Sequence, residues 1–400
     1  MDPRLHKVLV PPPSFPSEDP NPLPGSILLE PHGYISDRTN STTADGFTRD
    51  GKPIRVTFWV SDPPRASFFT VYIHEAGRSA IGNLPTILNT EEDIVLLRIP
   101  IRPPGGNLHA VDSDYFVYLA GTKHKRPSLQ RIPTPPVLFL SEKNVGLLRC
   151  RTRYLIALLC RSFHDDEKFD LHLYNSKSKS WSSRSMLLGS PEAKKYDYAS
   201  KVITIGGKRG SVGWVDLWQG ILICDLLTDS NSLSYIPLPS LVHRLPGGPP
   251  LLVRDIIVFR KECIKFFDMC LYVGSDFVTT GWEAATWRRE VSSTEWKKGH
   301  GIKVSNDQAF PNLQEDGRRG LALKGAYLGF PALSLHDDHV VYIMDKRDLL
   351  DKEASVIAVD MNNKTLKGVA DFVSGRPLGY TLAYFQSAIS MYLGLWASTR

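Results

Sequence analysis

Apolar and polar positions follow a β-type period along most of the chain. Residues 55–60 (Arg-Val-Thr-Phe-Trp-Val), 68–73 (Phe-Phe-Thr-Val-Tyr-Ile) and 115–119 (Tyr-Phe-Val-Tyr-Leu) are short β-branched and aromatic runs bounded by turn residues. Such runs predict strands rather than helices. Hairpins recur as an apolar strand, a polar turn and a second strand that opens on a bulky apolar residue. Residues 171–174 pair with the stretch after Trp181, 220–227 with 233–238, 278–285 with 287–291, and 356–360 with 366–372. The repeat is irregular, at roughly 50–70 residues, and accommodates propeller blades of about 40–50 residues with insertions. A long amphipathic helical pattern is hard to find, and residues 383–395 are the best candidate for a helix. The expected architecture is therefore all-β, a diverged β-propeller over residues 25–400, with a pair of packed β-domains as the alternative. Residues 1–24 carry eight prolines and little to bury, so they predict a disordered tail.

Composition narrows the class without changing this picture. In 400 residues, 42% are hydrophobic and 22% charged, which excludes a wholly disordered chain, a collagen-like fibre and a coiled coil. The 48 basic residues against 42 acidic ones leave a formal charge of +6, too mild and too interleaved for a dedicated nucleic-acid binder. Cys150, Cys160, Cys224, Cys263 and Cys270 are odd in number, lack CxxC spacing and predict small core residues in a reducing compartment. The first ten residues carry Asp2, Arg4, His6 and Lys7 and do not form a secretory signal. The apolar runs fall far short of the ~20 residues that span a bilayer. The expectation is a soluble intracellular protein, in cytoplasm or nucleus, with no membrane partner.

Candidate chemistry is thin. Trp214, Asp216 and Trp218 would share one side of a strand and could form an aromatic–acid–aromatic stripe. Core packing, with Asp216 or Asp225 anchoring a turn, explains them better. His336-Asp337-Asp338-His339 offers four metal-type ligands in a row, but a tight turn cannot converge them on one ion, so a hairpin turn is expected. Residues 205–211 resemble a phosphate loop only in glycine content, with the wrong spacing and a β-like sequence following. Residues 288–324 interleave Arg288, Arg289, Lys297, Lys298 and Lys303 with Trp287 and Trp296, yet acidic residues dilute the charge. Lys123 to Arg126 reads as a solvated turn. No catalytic residue, metal ligand or cofactor-binding motif emerges, and carboxylates brought together from different blades would be invisible to a linear reading.

The stretch 212–225, containing Gly213, Trp214, Asp216, Trp218, Gly220 and Asp225, resembles the signature of a plant family, expanded in grasses, known as domain of unknown function 1618. Further matching blocks are Arg254-Asp255-Ile256 with Ile264-Lys265-Phe266, Gly281-Trp282 with Ala285-Thr286-Trp287, and residues 331–335 leading into 340–344. The resemblance places the signature domain at about 213–345. It implies a propeller-like fold in which Gly213, Trp214, Asp216, Trp218, Gly220, Asp225, Arg254, Asp255, Trp282 and Trp287 serve structure. It supplies no catalytic residue, cofactor or ligand. The expected role is a non-catalytic scaffold that binds a protein partner, with the long loop at 292–325 diversifying its face. The alternative is an enzyme or small-ligand binder that uses the central channel. Clustered carboxylates or histidines at the channel mouth would favour that alternative.

Overall fold

The computed structural model describes residues 7–16, 23–74, 80–102, 113–137, 141–162, 165, 168–239, 248–274, 279–305, 327–346, 354–372, 374, 376 and 383–394. They form a six-bladed β-propeller. Blade 2 is built from Thr86–Glu91, Ile94–Pro100, Ser113–Leu119 and Ser128–Ile132. Blade 3 comprises Val145–Arg149, Tyr154–Arg161, Lys168–Asn175 and Ser180–Leu188. Lys201–Gly206, Ser211–Asp216, Gly220–Asp225 and Ser232–Pro237 make blade 4. Arg254–Phe259, Cys263–Val273, Thr279–Glu290 and Lys297–Ser305 make blade 5. Tyr327–Leu333, Val340–Lys346, Ala354–Asp360 and Thr365–Phe372 make blade 6. Each is an antiparallel meander in chain order, and the first strand of each lies innermost, beside the first strand of the next blade. Blades 3 and 4 also touch at their outer strands, where Leu187 and Leu188 pair in parallel with Ser232 and Leu233.

Blade 1 is assembled from both ends of the chain. Its strand order from the channel outward is Phe385–Ser387, Ile27–Leu29, Ala66–Ile73, Pro53–Trp59 and Ala44–Phe47. The short strand Tyr34–Ile35 pairs alongside Ala66–Ile73. The ring closes where the Ser387 hydroxyl bonds Thr90 on blade 2 at 3.0 Å, and where the Ile87 amide donates to the Pro31 carbonyl at 2.8 Å.

The continuous apolar runs follow from this geometry. A blade in a propeller is covered on both faces, so neither side of a middle strand needs to be polar. On Tyr154–Arg161, Tyr154, Ile156 and Leu158 pack toward blade 2, whereas Leu155, Ala157 and Leu159 pack toward blade 4. Val341 and Ile343 similarly face blade 5 while Val340, Tyr342 and Met344 face blade 1. Six hydrophobic clusters thus lie between neighbouring blades, one at each junction.

Three of the four expected hairpins are in place: 168–188, 220–237 and 354–372. The fourth is corrected. Residues 279–290 are one twelve-residue strand, Thr279–Glu290, and the expected break at Thr286 is a bulge in its pairing with Lys297–Ser305. The Thr286 hydroxyl there accepts the His300 amide at 3.0 Å, so the chain bends without turning back. The expected loop at 292–325 is corrected in the same place, because its residues 297–305 are the outer strand of blade 5, with Ile302 and Val304 buried. Residues 306–325 lie outside the described ones. The C-terminal helix is corrected too: Phe385–Ser387 is a strand that completes blade 1, and helix is confined to the single turn Ser390–Leu393. Backbone donors needed by the ring override the helical pattern there.

The described part of the expected tail, residues 7–16, lies against the body. Leu9 is fully buried in the core between blades 1 and 2, and its carbonyl accepts the Ile35 amide at 2.9 Å. Phe15 stacks edge-on against Trp59 at 4.6 Å between centroids. Two apolar anchors therefore hold a proline-rich segment that bonds little to itself. No helix among the described residues is long and apolar enough to cross a membrane.

Candidate functional site

The signature residues converge on the junctions of blades 3, 4, 5 and 6. Trp214 is fully buried between blades 3 and 4, and its indole N–H donates to the Asn144 carbonyl at 2.8 Å. Asp216 ends the same strand. Its two oxygens accept the amides of Trp218 at 2.8 Å and Asp197 at 3.1 Å, which caps the turn that follows. Burial pushes the Asp216 carboxyl up, and those amides pull it back. Trp218 has left the strand and lies half-buried, so the less favoured three-residue stripe does not form. Instead its ring stacks on the Arg254 guanidinium, 3.9 Å from ring centroid to the central carbon.

Arg254 is buried, and its Nε donates to Asp268 at 2.7 Å while Nη1 donates to the Leu217 carbonyl at 2.8 Å. The cation is thereby committed to holding blade 5 against blade 4. Asp255, its neighbour, points the other way along the strand. One oxygen receives the Lys201 ammonium of blade 4 at 2.6 Å, and the other accepts the Leu333 amide of blade 6 at 2.8 Å. Gly213 and Gly220 sit where bulk is excluded. A Cβ at Gly213 would meet Ile221 at 2.8 Å, and one at Gly220 would meet the Tyr235 ring at 2.4 Å. Asp225 accepts the Ser211 hydroxyl at 2.5 Å at the end of a blade 4 hairpin. Trp282 and Trp287 are buried on opposite faces of one strand, toward blade 6 and blade 4 respectively.

The other candidate motifs are engaged locally. His336 to His339 form the turn between the first two strands of blade 6, where the Ser334 hydroxyl accepts the amides of His336 and Asp337. Asp338 pairs with Lys265 and Arg288. Among the described residues no group of three or more His, Cys, Asp or Glu side chains is placed to hold a metal ion. The glycine-rich stretch 205–211 is a hairpin turn in which Gly206, Gly207 and Gly210 all have positive φ, leading into a strand. Trp287 is buried, and the Trp296 indole donates to the Pro237 carbonyl at 2.9 Å, so among the described residues of the 288–324 stretch these two rings form no exposed stacking platform. All five cysteines are free thiols, with Cys224 and Cys263 buried.

What a linear reading missed is a cavity of about 510 Å3 at the entrance of the central channel, lined by blades 1, 2, 4, 5 and 6 and by Lys143 from the turn that leads into blade 3. It lies where the innermost strands begin, between Thr86–Asn89 of blade 2, Lys201 and Val202 of blade 4, Pro331 of blade 6 and the C-terminal segment of blade 1. Its rim includes the exposed side chains of Lys143 and Tyr198. Asp255 is the one carboxylate among the described lining residues. Only Asp255 of the signature set reaches this wall. The signal that could have found it is its position at the start of an innermost strand, and that becomes visible only once blades are assigned.

Residues 214–342 match the family described as "Protein of unknown function (DUF1618)", close to the 213–345 expected. The resemblance to the DUF1618 family is thus carried by this segment. The matched segment runs from the second strand of blade 4 into the second strand of blade 6, so the family signature covers the junctions just described. A comparison with curated protein sequences finds no match. Among solved structures, the chain is similar to the β-propeller domain of the Trilobed protease from Pyrococcus furiosus, at 8% identity and a TM-score of 0.28, covering 70% of this chain and 95% of that one. It is also similar to a variant of the NanB sialidase from Streptococcus pneumoniae, at 8% identity and a TM-score of 0.31 over 90% of this chain, of which it spans 58%. MPT-1, a GDP-Man-dependent mannosyltransferase from Leishmania mexicana, matches at 10% identity and a TM-score of 0.26, covering 70% of this chain and 81% of that one. The strand order alone defines the propeller here.

Proposed function

We propose that this chain is a non-catalytic interaction scaffold of the plant cell interior that holds a protein partner on the face around the channel mouth. The observation that supports this reading is the engagement of Asp255. The one carboxylate of the described channel wall is tied to Lys201 and to the Leu333 amide, and no second acid stands beside it to make a general acid–base pair. The face itself offers Lys143 and Tyr198 at the rim, with Tyr198 47% exposed, an aromatic and a cation suited to a protein surface.

The test is quantitative affinity purification of the tagged full chain from plant tissue beside a Lys143→Glu, Tyr198→Ala double variant. The expected result is a reproducible protein partner that the wild type enriches and the variant loses. Equal recovery by both proteins, or no enrichment over a tag control, would overturn the reading.

A further inference from the structure

The polar side chains along the described wall of the channel cavity are already engaged within the fold. Asn89 donates to the Val145 carbonyl and accepts the Thr90 amide, both at 2.7 Å. The Thr86 hydroxyl donates to the Leu84 carbonyl at 3.1 Å, and the Ser200 hydroxyl accepts the Leu217 amide at 3.5 Å. Lys201 and Asp255 hold each other, and Asp255 also holds the Leu333 amide. The Tyr384 hydroxyl and the Gln386 Nε2 are buried atoms with almost no accessible surface, so they present no donor to a ligand. Lys143 and Tyr198 are exposed, but they stand outside on the rim.

Prolines form the wall on three sides: Pro31 from blade 1, Pro249 and Pro250 from the segment that enters blade 5, and Pro331 from blade 6. Proline carries no backbone N–H. The carbonyls of Pro31, Pro249 and Pro250 already accept the amides of Ile87, Leu252 and Val253 at 2.8, 3.0 and 3.0 Å. These positions therefore present ring C–H surface in place of hydrogen-bonding groups. Such C–H groups are weakly positive and the face of an aromatic ring is negative, so prolines and aromatic rings pair in peptide recognition. The other end of the channel is crossed by an ion pair. Glu92, in the first hairpin turn of blade 2, meets Lys261, in the first hairpin turn of blade 5, and these blades face each other across the ring. That leaves the mouth as the route into a space of about 510 Å3, well inside the size of small-molecule sites.

We propose that the cavity binds a small neutral aromatic compound, its ring face stacked on the proline surfaces and its body lying against Ile87, Val202 and Leu251. Inside the rim Lys201 and Asp255 neutralise each other, so a charged head would lose its water without gaining a partner.

The test titrates the full chain into N-phenyl-1-naphthylamine, a neutral dye whose fluorescence rises in apolar surroundings. Saturable binding with a Kd of about 1–50 µM is expected. 1-Anilinonaphthalene-8-sulfonate has the same rings and a charge, and it should bind about tenfold more weakly. Biphenyl-4-methanol should displace the dye, and its fully saturated analogue should need about fivefold more. Val202→Phe and Leu251→Trp each add bulk to the wall, and the folded variants are expected to weaken the dye about tenfold. Leu187→Ser, on the exposed outer edge where blades 3 and 4 touch, should leave dye binding unchanged. In the wild-type protein, nuclear Overhauser effects from the dye to the methyl groups of Ile87, Val202 and Leu251 locate it without any variant. The proposal is overturned if the dye does not saturate below about 100 µM protein, if the sulfonate binds as tightly, or if the saturated alcohol competes equally. It is also overturned if a folded Val202→Phe or Leu251→Trp protein keeps full affinity, if Leu187→Ser abolishes binding, or if those methyl groups show no contact with the dye.

Discussion

Lys201 and Asp255 come from different blades and meet in an ion pair of 2.6 Å, while the second oxygen of Asp255 holds the Leu333 amide of a third blade. The carboxylate is almost fully buried and the lysine is about one quarter exposed, so the two partners are not equivalent. Removing the lysine leaves a buried charge with a single amide, whereas removing the carboxylate leaves an ammonium that can swing toward water. Lys201→Met is therefore expected to cost about 2–4 kcal/mol and Asp255→Asn about 1–3 kcal/mol. Urea denaturation checks both magnitudes and order, and a larger loss for Asp255→Asn would contradict this account of the junction.

Trp214 combines full burial with a 2.8 Å hydrogen bond from its indole to the Asn144 carbonyl across the blade 3–blade 4 junction. Trp214→Ala is expected to destabilise the protein by about 3–5 kcal/mol, the range for deleting a buried aromatic. Trp214→Phe should recover part of that by filling the space, yet fall short because the Asn144 carbonyl loses its donor. Far-UV circular dichroism against denaturant measures both, and wild-type midpoints would refute the packing role.

How much of this was legible in the residues depends on how local each signal is. Hairpins such as 220–237 announce themselves because strand, turn and strand are contiguous. The runs at 154–160 and 340–344 are apolar on both sides, and only the assembled ring explains why neither face of these strands is polar. Thr286 misleads because a bulge and a turn both interrupt an apolar run, and the choice is made by the outer strand, whose Lys, Gly and His residues hide its two buried positions, Ile302 and Val304. The strand Phe385–Ser387 could not be found locally, since its partners are Ile27–Leu29, at the other end of the chain. The channel wall fails for the same reason: Tyr384, Lys201 and Asp255 are neighbours only because a ring closes.

Glu30 is buried beside the Tyr34 hydroxyl, at 2.6 Å, and the Arg376 guanidinium, at 3.7 Å. Burial pushes its carboxyl up to about 7, and Arg376 and Tyr34 offset this only in part. Because the folded state then binds the proton more tightly than the unfolded chain does, this group favours folding below about 4.5 and that contribution is lost as the pH rises through about 7. Glu91, raised to about 8 by burial, acts in the same direction. Stability should accordingly fall between pH 5 and 7 (approximate bounds), with each group contributing at most about 1.4 kcal/mol per pH unit. Glu30→Gln should flatten this slope, and a denaturation midpoint with the same pH dependence in variant and wild type would rule the assignment out.

Leu9 decides whether the proline-rich segment is part of the fold. Its side chain has no exposure, its carbonyl takes the Ile35 amide, and the preceding Val8 carbonyl accepts Arg376 Nε at 2.7 Å. Arg376 in turn donates to the carbonyls of His32 and Gly33, so one guanidinium ties the N-terminal segment to the loop inside blade 1. A solvated tail would make Leu9→Ala silent, since surface truncations shift stability by about 0.5 kcal/mol or less. A leucine that fills the core between blades 1 and 2 should instead cost about 2–4 kcal/mol when cut to alanine. Loss of the anchor should also speed proteolysis N-terminal to Ile27 before the remaining blades unfold, because the segment makes few backbone bonds of its own. An unchanged denaturation midpoint together with unchanged cleavage would return the segment to the status of a tail.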